Sequence, residues 1–266
     1  QQIPARNKDL GPLIRSLFIP ESGCEWGCFD YSQQEPRLVV HFAATTTGIK
    51  EDSSVKEIVE NYENNDIDFH QTVSDMAGIN RFQAKTINLG LFYGMGKAKL
   101  QAELGLSTKQ EAEELFNKYH NRVPFVRDLM NETSRWASRE GEIRTLLGRG
   151  CRFDKWEPAQ FGMHTPMTWE DAVKKYGENR IRRAFTYKAL NKLIQGSAAD
   201  MTKKSMLDLY KEGIIAHIQI HDELDLSVES KKQADKIIEI MENAVKLAVP
   251  NKVDYESGKT WGDIYG

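Results

Sequence analysis

Four side chains spaced four residues apart, Arg81, Lys85, Leu89 and Tyr93, put two cations, one aliphatic residue and one aromatic in a line. If the segment from Arg81 to Gly94 is helical, each step of four advances only about 40° around the axis, so the four share a face. A core stripe would be apolar throughout, and a solvated face rarely carries Leu and Tyr in line with its charges. The mixture suits a surface laid along a ligand. Both cations also fall at the start of the apparent helix, where the backbone dipole disfavours positive charge unless an anion is close. A polyphosphate would supply that anion. The alternative is an amphipathic helix whose basic residues snorkel from its edge, and this segment alone leaves both readings open.

Two aspartates are placed where a carboxylate has chemical use. Asp30 stands at the exit of Cys24 to Ser32, which alternates like a buried strand; there it is either a cap for the following helix or a metal ligand. Asp222 lies with His221 between two apolar runs, Ile214 to Ile220 and Glu223 to Val228, which read as antiparallel strands meeting in a tight turn. Its carboxylate is then presented at the lip of a core. His70, within Asp66-Ile67-Asp68-Phe69-His70-Gln71, taken by itself reads as an ordinary surface or core residue.

The elements that must position these groups belong to a chain of 266 residues, 40% of them hydrophobic, enough for one large domain or two closely connected ones. No apolar run approaches the length of a membrane span, so no membrane partner is expected. The chain begins at Gln1 without an initiator Met or anything like a signal peptide, and is expected to be a piece of a longer protein. Three cysteines, Cys24, Cys28 and Cys151, are too few for a disulfide framework, and Cys24 and Cys28 have no His or second Cys pair to complete a zinc site. A reduced intracellular location is expected, with Cys24 and Cys28 as small buried residues beside Trp26 and Phe29. The net charge of −3 argues against a nucleic-acid partner, but two basic tracts, Arg135 to Lys155 and Lys174 to Lys192, are compatible with a local cationic groove.

Residues 1 to 23, with Pro4, Pro12 and Pro20, read as loop and strand, and 48 to 78 as mostly helical. Ser107-Thr108-Lys109-Gln110 starts a helix through about His120, and Pro124 opens another to Gly141. Glu142 to Phe153 reads as a hairpin around Gly148-Arg149-Gly150, and 154 to 180 as a loop-rich excursion. A long helix is expected from about Ile181 to Glu212, carrying Asn191, Gln195 and the small residues Gly196 to Ala199, and another from Lys231 to Ala248, followed by a tail containing Gly258 to Asp263.

In order along the chain stand Asp30-Tyr31-Ser32-Gln33, Glu35 and Arg37; Arg81, Lys85 and Tyr93-Gly94; Gln195-Gly196; and His221-Asp222-Glu223. With those spacings, nearly the whole chain resembles the polymerase region of family A DNA polymerases, the class of bacterial DNA polymerase I and many phage replicases. The resemblance implies an α+β fold, with an antiparallel palm sheet and packed helices plus a mainly helical fingers domain, a partial right-hand polymerase. It divides the chain into palm (1–47 and 186–266) and fingers (48–185), with thumb and exonuclease upstream. The implied activity is template-directed DNA synthesis on primer–template DNA from deoxynucleoside triphosphates.

Primer extension by phosphoryl transfer needs two carboxylates to converge on two divalent metals. The resemblance assigns Asp30 and Asp222 to that role, with the Tyr31 carbonyl joining the coordination and Glu223 as an accessory acid. Hard oxygen ligands favour two Mg²⁺ ions. By the same resemblance Gln33, Glu35, His70, Arg81, Lys85, Leu89 and Tyr93 form the nucleotide site. Lys85 is placed to protonate pyrophosphate and Glu35 to reject ribose. Arg37, Asn191, Gln195 and His221 contact DNA. A phage origin and the host cytoplasm are expected.

Two positions depart from the common family pattern. Leu89 stands where Phe or Tyr is usual, and Tyr187 where many members have Arg. A single-subunit phage-type RNA polymerase is the nearest rival; Glu35, and Glu223 after His221-Asp222, separate the two classes. An inert DNA-binding fragment of a polymerase is the second.

Overall fold

The segment Glu25–Tyr31 forms a strand covered on both sides, because Trp26 and Cys28 alternate with Gly27, Phe29 and Tyr31 and only Glu25 is left exposed. The computed structural model describes residues 7, 9–65, 67–92, 97–160 and 162–264. Its elements follow in the order α1 (Leu10–Arg15), β1 (Glu25–Tyr31), α2 (Gln34–Thr45), α3 (Ser53–Asn65), α4 (Phe69–Ala77), α5 (Arg81–Phe92), α6 (Lys97–Glu103), α7 (Lys109–Arg122), α8 (Pro124–Glu140), β2 (Glu142–Arg144), β3 (Gly150–Arg152), β4 (Trp156–Pro158), α9 (Trp169–Tyr176), β5 (Ile181–Arg183), α10 (Ala189–Lys211), β6 (Ile218–Ile220), β7 (Glu223–Val228), α11 (Lys231–Asn243) and β8 (Val253–Gly258). They fall into two compact units, Gln1–Arg37 with Ala198–Gly266, and Leu38–Ser197.

The first unit is built on a sheet of order β6-β7-β1-β8, antiparallel throughout. Phe29, Tyr31, Leu224 and Leu226 share one of its faces and are all buried. Burying a ring such as Phe29 contributes about 1.5–3 kcal/mol. Helix α11 packs against β7 and β8, and the phenol of Tyr31 donates to the carbonyl of Met241 on that helix at 2.5 Å. On the opposite face Trp26, Cys28 and Trp261 cluster with Ile218 and Ile220. Period-two alternation therefore sends Asp30 to the same face as Cys28 and Trp26.

The second unit is mainly helical. α8 packs against α3, α5 and α7, and its Phe125, Val126 and Leu129 are fully buried. Pro124 opens this helix where a missing N–H costs nothing, and Gly141 ends it at φ 74°. Thr108 caps α7 as expected, accepting from the N–H of Glu111 at 3.1 Å. The hairpin β2–β3 is also as expected.

Four expectations are corrected. Residues 10–15 are helical rather than strand: Pro12 lies in the first turn, where it breaks no hydrogen bond, and Asn7 Oδ1 takes the N–H groups of Asp9 and Leu10. The excursion after 154 carries regular structure, with β4 paired to β5 and α9 capped by Thr168. The long helix begins at Ala189 rather than Ile181, because Ile181–Arg183 pairs with Trp156–Pro158 and Phe185 turns left-handed at φ 64°. Residues 253–258, read as tail, are the edge strand β8. Among the described residues, no helix is long and apolar enough to cross a membrane.

Candidate active site

In the first unit, β1 and β7 run antiparallel with Asp30 opposite Glu223, and the N–H of Tyr31 reaches the carbonyl of Asp222 at 3.4 Å. The turn joining β6 to β7 is His221-Asp222, with His221 in the left-handed region at φ 53° and its carbonyl held by Gln219 Nε2 at 2.6 Å. A non-glycine residue there costs on the order of 1–2 kcal/mol, strain of the kind stored where a side chain must be aimed. On the other side of β1, β8 sets Asp254 opposite Asp30. Burial, then the charges of Asp222, Glu223 and Asp254, push the Asp30 carboxyl up to about 7. Burial also raises Asp222, whose carboxyl is in hydrogen-bonding contact with that of Asp30. The two cannot both ionise at low cost without a cation.

Tyr31 turns its ring into the core, where burial pushes the phenol up to about 12 and Ser205 Oγ lies at 2.6 Å. Gln33 takes a left-handed φ of 55° between β1 and α2, and Glu35 follows in the first turn of α2, half-buried, where a carboxylate also suits the helix dipole. Arg37 is corrected. Only 2% exposed, its guanidinium donates to the carbonyls of Ser32 at 2.8 Å and Pro250 at 2.6 Å, which makes it an internal bracket of this unit instead of a surface for DNA.

In the second unit, α5 buries Ala84, Ile87 and Asn88 and leaves Arg81 and Lys85 exposed and Leu89 half-buried. The spacing-of-four face is therefore real over 81 to 89; Tyr93 and Gly94 lie outside the described residues. Arg81 pairs with Asp68, Nε to Oδ2 at 2.9 Å. Asp68 is also the N-cap of α4, accepting from the N–H groups of His70 and Gln71 at 2.8 and 3.1 Å. Burial raises its carboxyl, but Arg81 and these two donors hold it below the usual range.

His70 is buried, and Asn88 Nδ2 lies 3.0 Å from its Nδ1, while the Tyr119 hydroxyl donates to Asn88 Oδ1. That chain of donors makes Nδ1 the acceptor and leaves the proton on Nε2. Burial lowers the ring to about 4, so it is a neutral donor at pH 7.

On α10, Asn191 is half-buried and Gln195 exposed, one turn apart. The glycine after Gln195 has a steric reason: a Cβ at Gly196 would come within 2.6 Å of Thr145 Cγ2. The hairpin loop is tied to this point, with Arg149 Nη2 donating to the Gly196 carbonyl at 2.8 Å and the N–H of Leu146 to Ser197 Oγ at 3.0 Å. The basic tracts are partly neutralised, with Arg144 paired to Glu142, Arg182 to Glu157, and Arg183 stacked over Trp156 at 4.6 Å.

Sequence reasoning missed Asp254, Asp68 as partner to Arg81, and Asn88. The alternation Val253-Asp254-Tyr255 and an Asp three residues before Gln71 were the available signals; nothing in the sequence pointed to Asn88. The donor set at the end of β1 and β7, all hard oxygen with carboxyls that repel in the absence of positive charge, fits divalent cations.

The family model described as DNA polymerase family A matches residues 1–263. A DNA-directed DNA polymerase of Pseudomonas phage M6 is 34% identical over 303 residues, covering 100% of this chain and 42% of that protein. DNA polymerase I of Geobacillus stearothermophilus is 33% identical over 275 residues, covering 99% of this chain and 29% of the relative. Among solved structures, the POL domain of Pol1 from M. smegmatis in complex with DNA primer-template and dNTP is similar with a TM-score of 0.76 and 26% identity, covering 100% of this chain and 45% of that one. The chain thus spans less than half the length of each of these relatives.

Proposed function

The chain belongs to DNA polymerase family A, and on that premise we propose that it carries the palm and fingers parts of a template-directed DNA polymerase, adding deoxynucleotides to a primer 3′ end. The observation that carries this reading is the Asp30–Asp222 carboxyl pair, flanked by Glu223 and Asp254, with both carboxyls raised by burial and Asp30 raised further by the neighbouring charges. Asp30, Asp222 and the Tyr31 carbonyl would hold two Mg²⁺ ions. When bound, such ions activate the primer hydroxyl and stabilise the leaving pyrophosphate.

The remaining work falls to the chain's own side chains. Lys85, exposed at the start of α5, binds the triphosphate and gives a proton to pyrophosphate. Arg81 exchanges Asp68 for phosphate, a modest cost for a half-exposed pair. His70, neutral with its proton on Nε2, donates to the β-phosphate without bringing charge. Glu35 and Gln33 line the sugar side, where a carboxylate leaves no room for a 2′-hydroxyl. By the family resemblance, Tyr93 would close over the sugar. Leu89 offers no hydroxyl to stand in for a missing 3′-hydroxyl. Asn191, Gln195 and His221 meet minor-groove acceptors common to all base pairs, so they read pairing geometry and not identity.

Primer extension with Mg²⁺, supplying deoxyribo- or ribonucleotides to the chain alone and joined to the upstream segment its relatives possess, tests this. Extension with deoxynucleotides that requires both Asp30 and Asp222 is expected. Equal use of ribonucleotides would favour the RNA polymerase reading, and extension unaffected by either aspartate would reject the assignment.

A further inference from the structure

One register step deeper than Asp30 and Glu223, the same sheet face brings Cys28 on β1 opposite Asp225 on β7. Asp225 is fully buried, and neither carboxylate oxygen accepts a well-formed hydrogen bond, its polar neighbours being Cys28 and Glu223. A buried carboxyl without partners costs several kcal/mol, and an apolar residue would suit an interior strand position better. Leu224 and Leu226, its neighbours on the other face, show what packing alone selects. A structural role does not explain Asp225.

Its surroundings do. The Cys28 Sγ and carboxylate oxygens of Glu223 and Asp225 all lie within 4.8 Å of one another, so that a modest inward adjustment of the side chains would let one ion reach all three at ordinary metal–sulfur and metal–oxygen distances of about 2.3 and 2.0–2.2 Å. Trp26 and Trp261 pack against Cys28.

We infer that Cys28, Glu223 and Asp225 form a binding site for one divalent cation of the zinc class, separate from the Asp30–Asp222 pair. A thiolate with two carboxylates selects a borderline ion such as Zn²⁺ or Co²⁺ over Mg²⁺, which demands an oxygen shell. Three protein donors leave a fourth tetrahedral position for water. Burial pushes the Cys28 thiol up and the Asp225 carboxyl to about 7. As the ion enters, the Cys28 S–H bond breaks, as does the O–H bond of whatever fraction of Asp225 is protonated; metal–sulfur and metal–oxygen bonds form, and the released protons leave to solvent. The ion would staple β1 to β7 and fix Glu223 beside the polymerase carboxylates.

The test uses the purified chain without DNA or nucleotide, stripped with chelator and titrated with Zn²⁺ alone or Co²⁺ alone in excess Mg²⁺. One Zn²⁺ per chain is expected, with a thiolate-to-cobalt charge-transfer band for Co²⁺. Cys28→Ser should remove the band and weaken Zn²⁺ by about tenfold or more. Asp225→Val should do the same while raising the melting temperature of the metal-free chain, which shows that the variant folds. Asp30→Asn, and the double variant Cys24→Ser with Cys151→Ser, should keep the band. No cobalt band in the parent, or Zn²⁺ held equally by Cys28→Ser and Asp225→Val, overturns the inference. So does loss of Zn²⁺ in Asp30→Asn with retention in Cys28→Ser, which would put the ion at the hairpin pair. Because no step uses DNA, failure here leaves the polymerase reading untouched, and the converse holds.

Discussion

The acidic end of the β1–β7 pair and the cationic face of α5 solve opposite electrostatic problems. The first gathers Asp30, Asp222, Glu223 and Asp254 around one strand end, with Lys252 lying 3.8 Å from Asp254, and burial together with these charges pushes Asp30 up to about 7. The second carries two cations but satisfies one internally, Arg81 resting on the capping carboxylate Asp68, and leaves Lys85 to solvent. Burial disfavours the charged form of Asp30 and Asp222, so the cluster stands ready for external positive charge. The basic helix is already at rest and must exchange a partner to bind an anion. One site is therefore unsatisfied without its ligand; the other is poised.

The largest effect that separates them is on turnover. Asp30→Asn or Asp222→Asn should lower primer extension by about three orders of magnitude or more, because loss of a metal-binding carboxylate removes several kcal/mol of transition-state stabilisation. Asp30→Asn should at the same time stabilise the metal-free chain. The sign follows from its raised pKa: the folded state holds that proton more tightly than the unfolded chain. The contribution of Asp30 is thus present below about pH 4 and lost as pH rises towards 7. Melting curves at pH 5 and 8 check this, and a variant less stable than the parent at pH 8 would contradict it.

Lys85→Ala should reduce kcat/KM for nucleotide by about a hundredfold while leaving primer–template affinity within about twofold, since its proposed partner is the triphosphate and not a backbone phosphate. Equal loss of both would move Lys85 to the DNA.

His70 gives a smaller, pH-defined effect. Its pKa is lowered to about 4 from 6.5, so the unfolded chain takes up the proton first. Its stabilising contribution is complete above about pH 6.5 and disappears as pH falls to about 4. The melting temperature should drop by on the order of a few degrees across that window, and His70→Gln should flatten the drop. An unchanged slope would show that the ring is not held neutral.

The smallest effect probes the resting pair. Asp68→Asn keeps a capping acceptor but discharges the partner of Arg81, so nucleotide KM should fall by about two- to fivefold, the scale of a half-exposed ion pair. A rise in KM would mean Asp68 positions Arg81 instead of restraining it.

What the sequence made legible was governed by local rules. The helix face of Arg81, Lys85 and Leu89, the His221-Asp222 turn and the caps at Thr108 and Pro124 depend on neighbours within a turn or two. The strand β8 gave only the short alternation Val253-Asp254-Tyr255 as a signal, because the segment is polar for a strand and its register against β1 is set across the 221 residues from 32 to 252. Arg37 was misplaced because its partners, the carbonyls of Ser32 and Pro250, exist only in the folded unit. Phe185 ended the expected long helix because its backbone turn follows from the pairing of β4 with β5 rather than from any helix-breaking residue type.

The central claim is that the Asp30–Asp222 pair requires divalent cations, and Mn²⁺ binding followed by electron paramagnetic resonance tests it most directly. The chain should bind Mn²⁺ at pH 8, lose most of that binding at pH 6 as Asp30 protonates, and lose it at both pH values in Asp30→Asn and Asp222→Asn, while Cys28→Ser binds as the parent does. Mn²⁺ bound equally by the parent and by Asp30→Asn and Asp222→Asn would contradict the account.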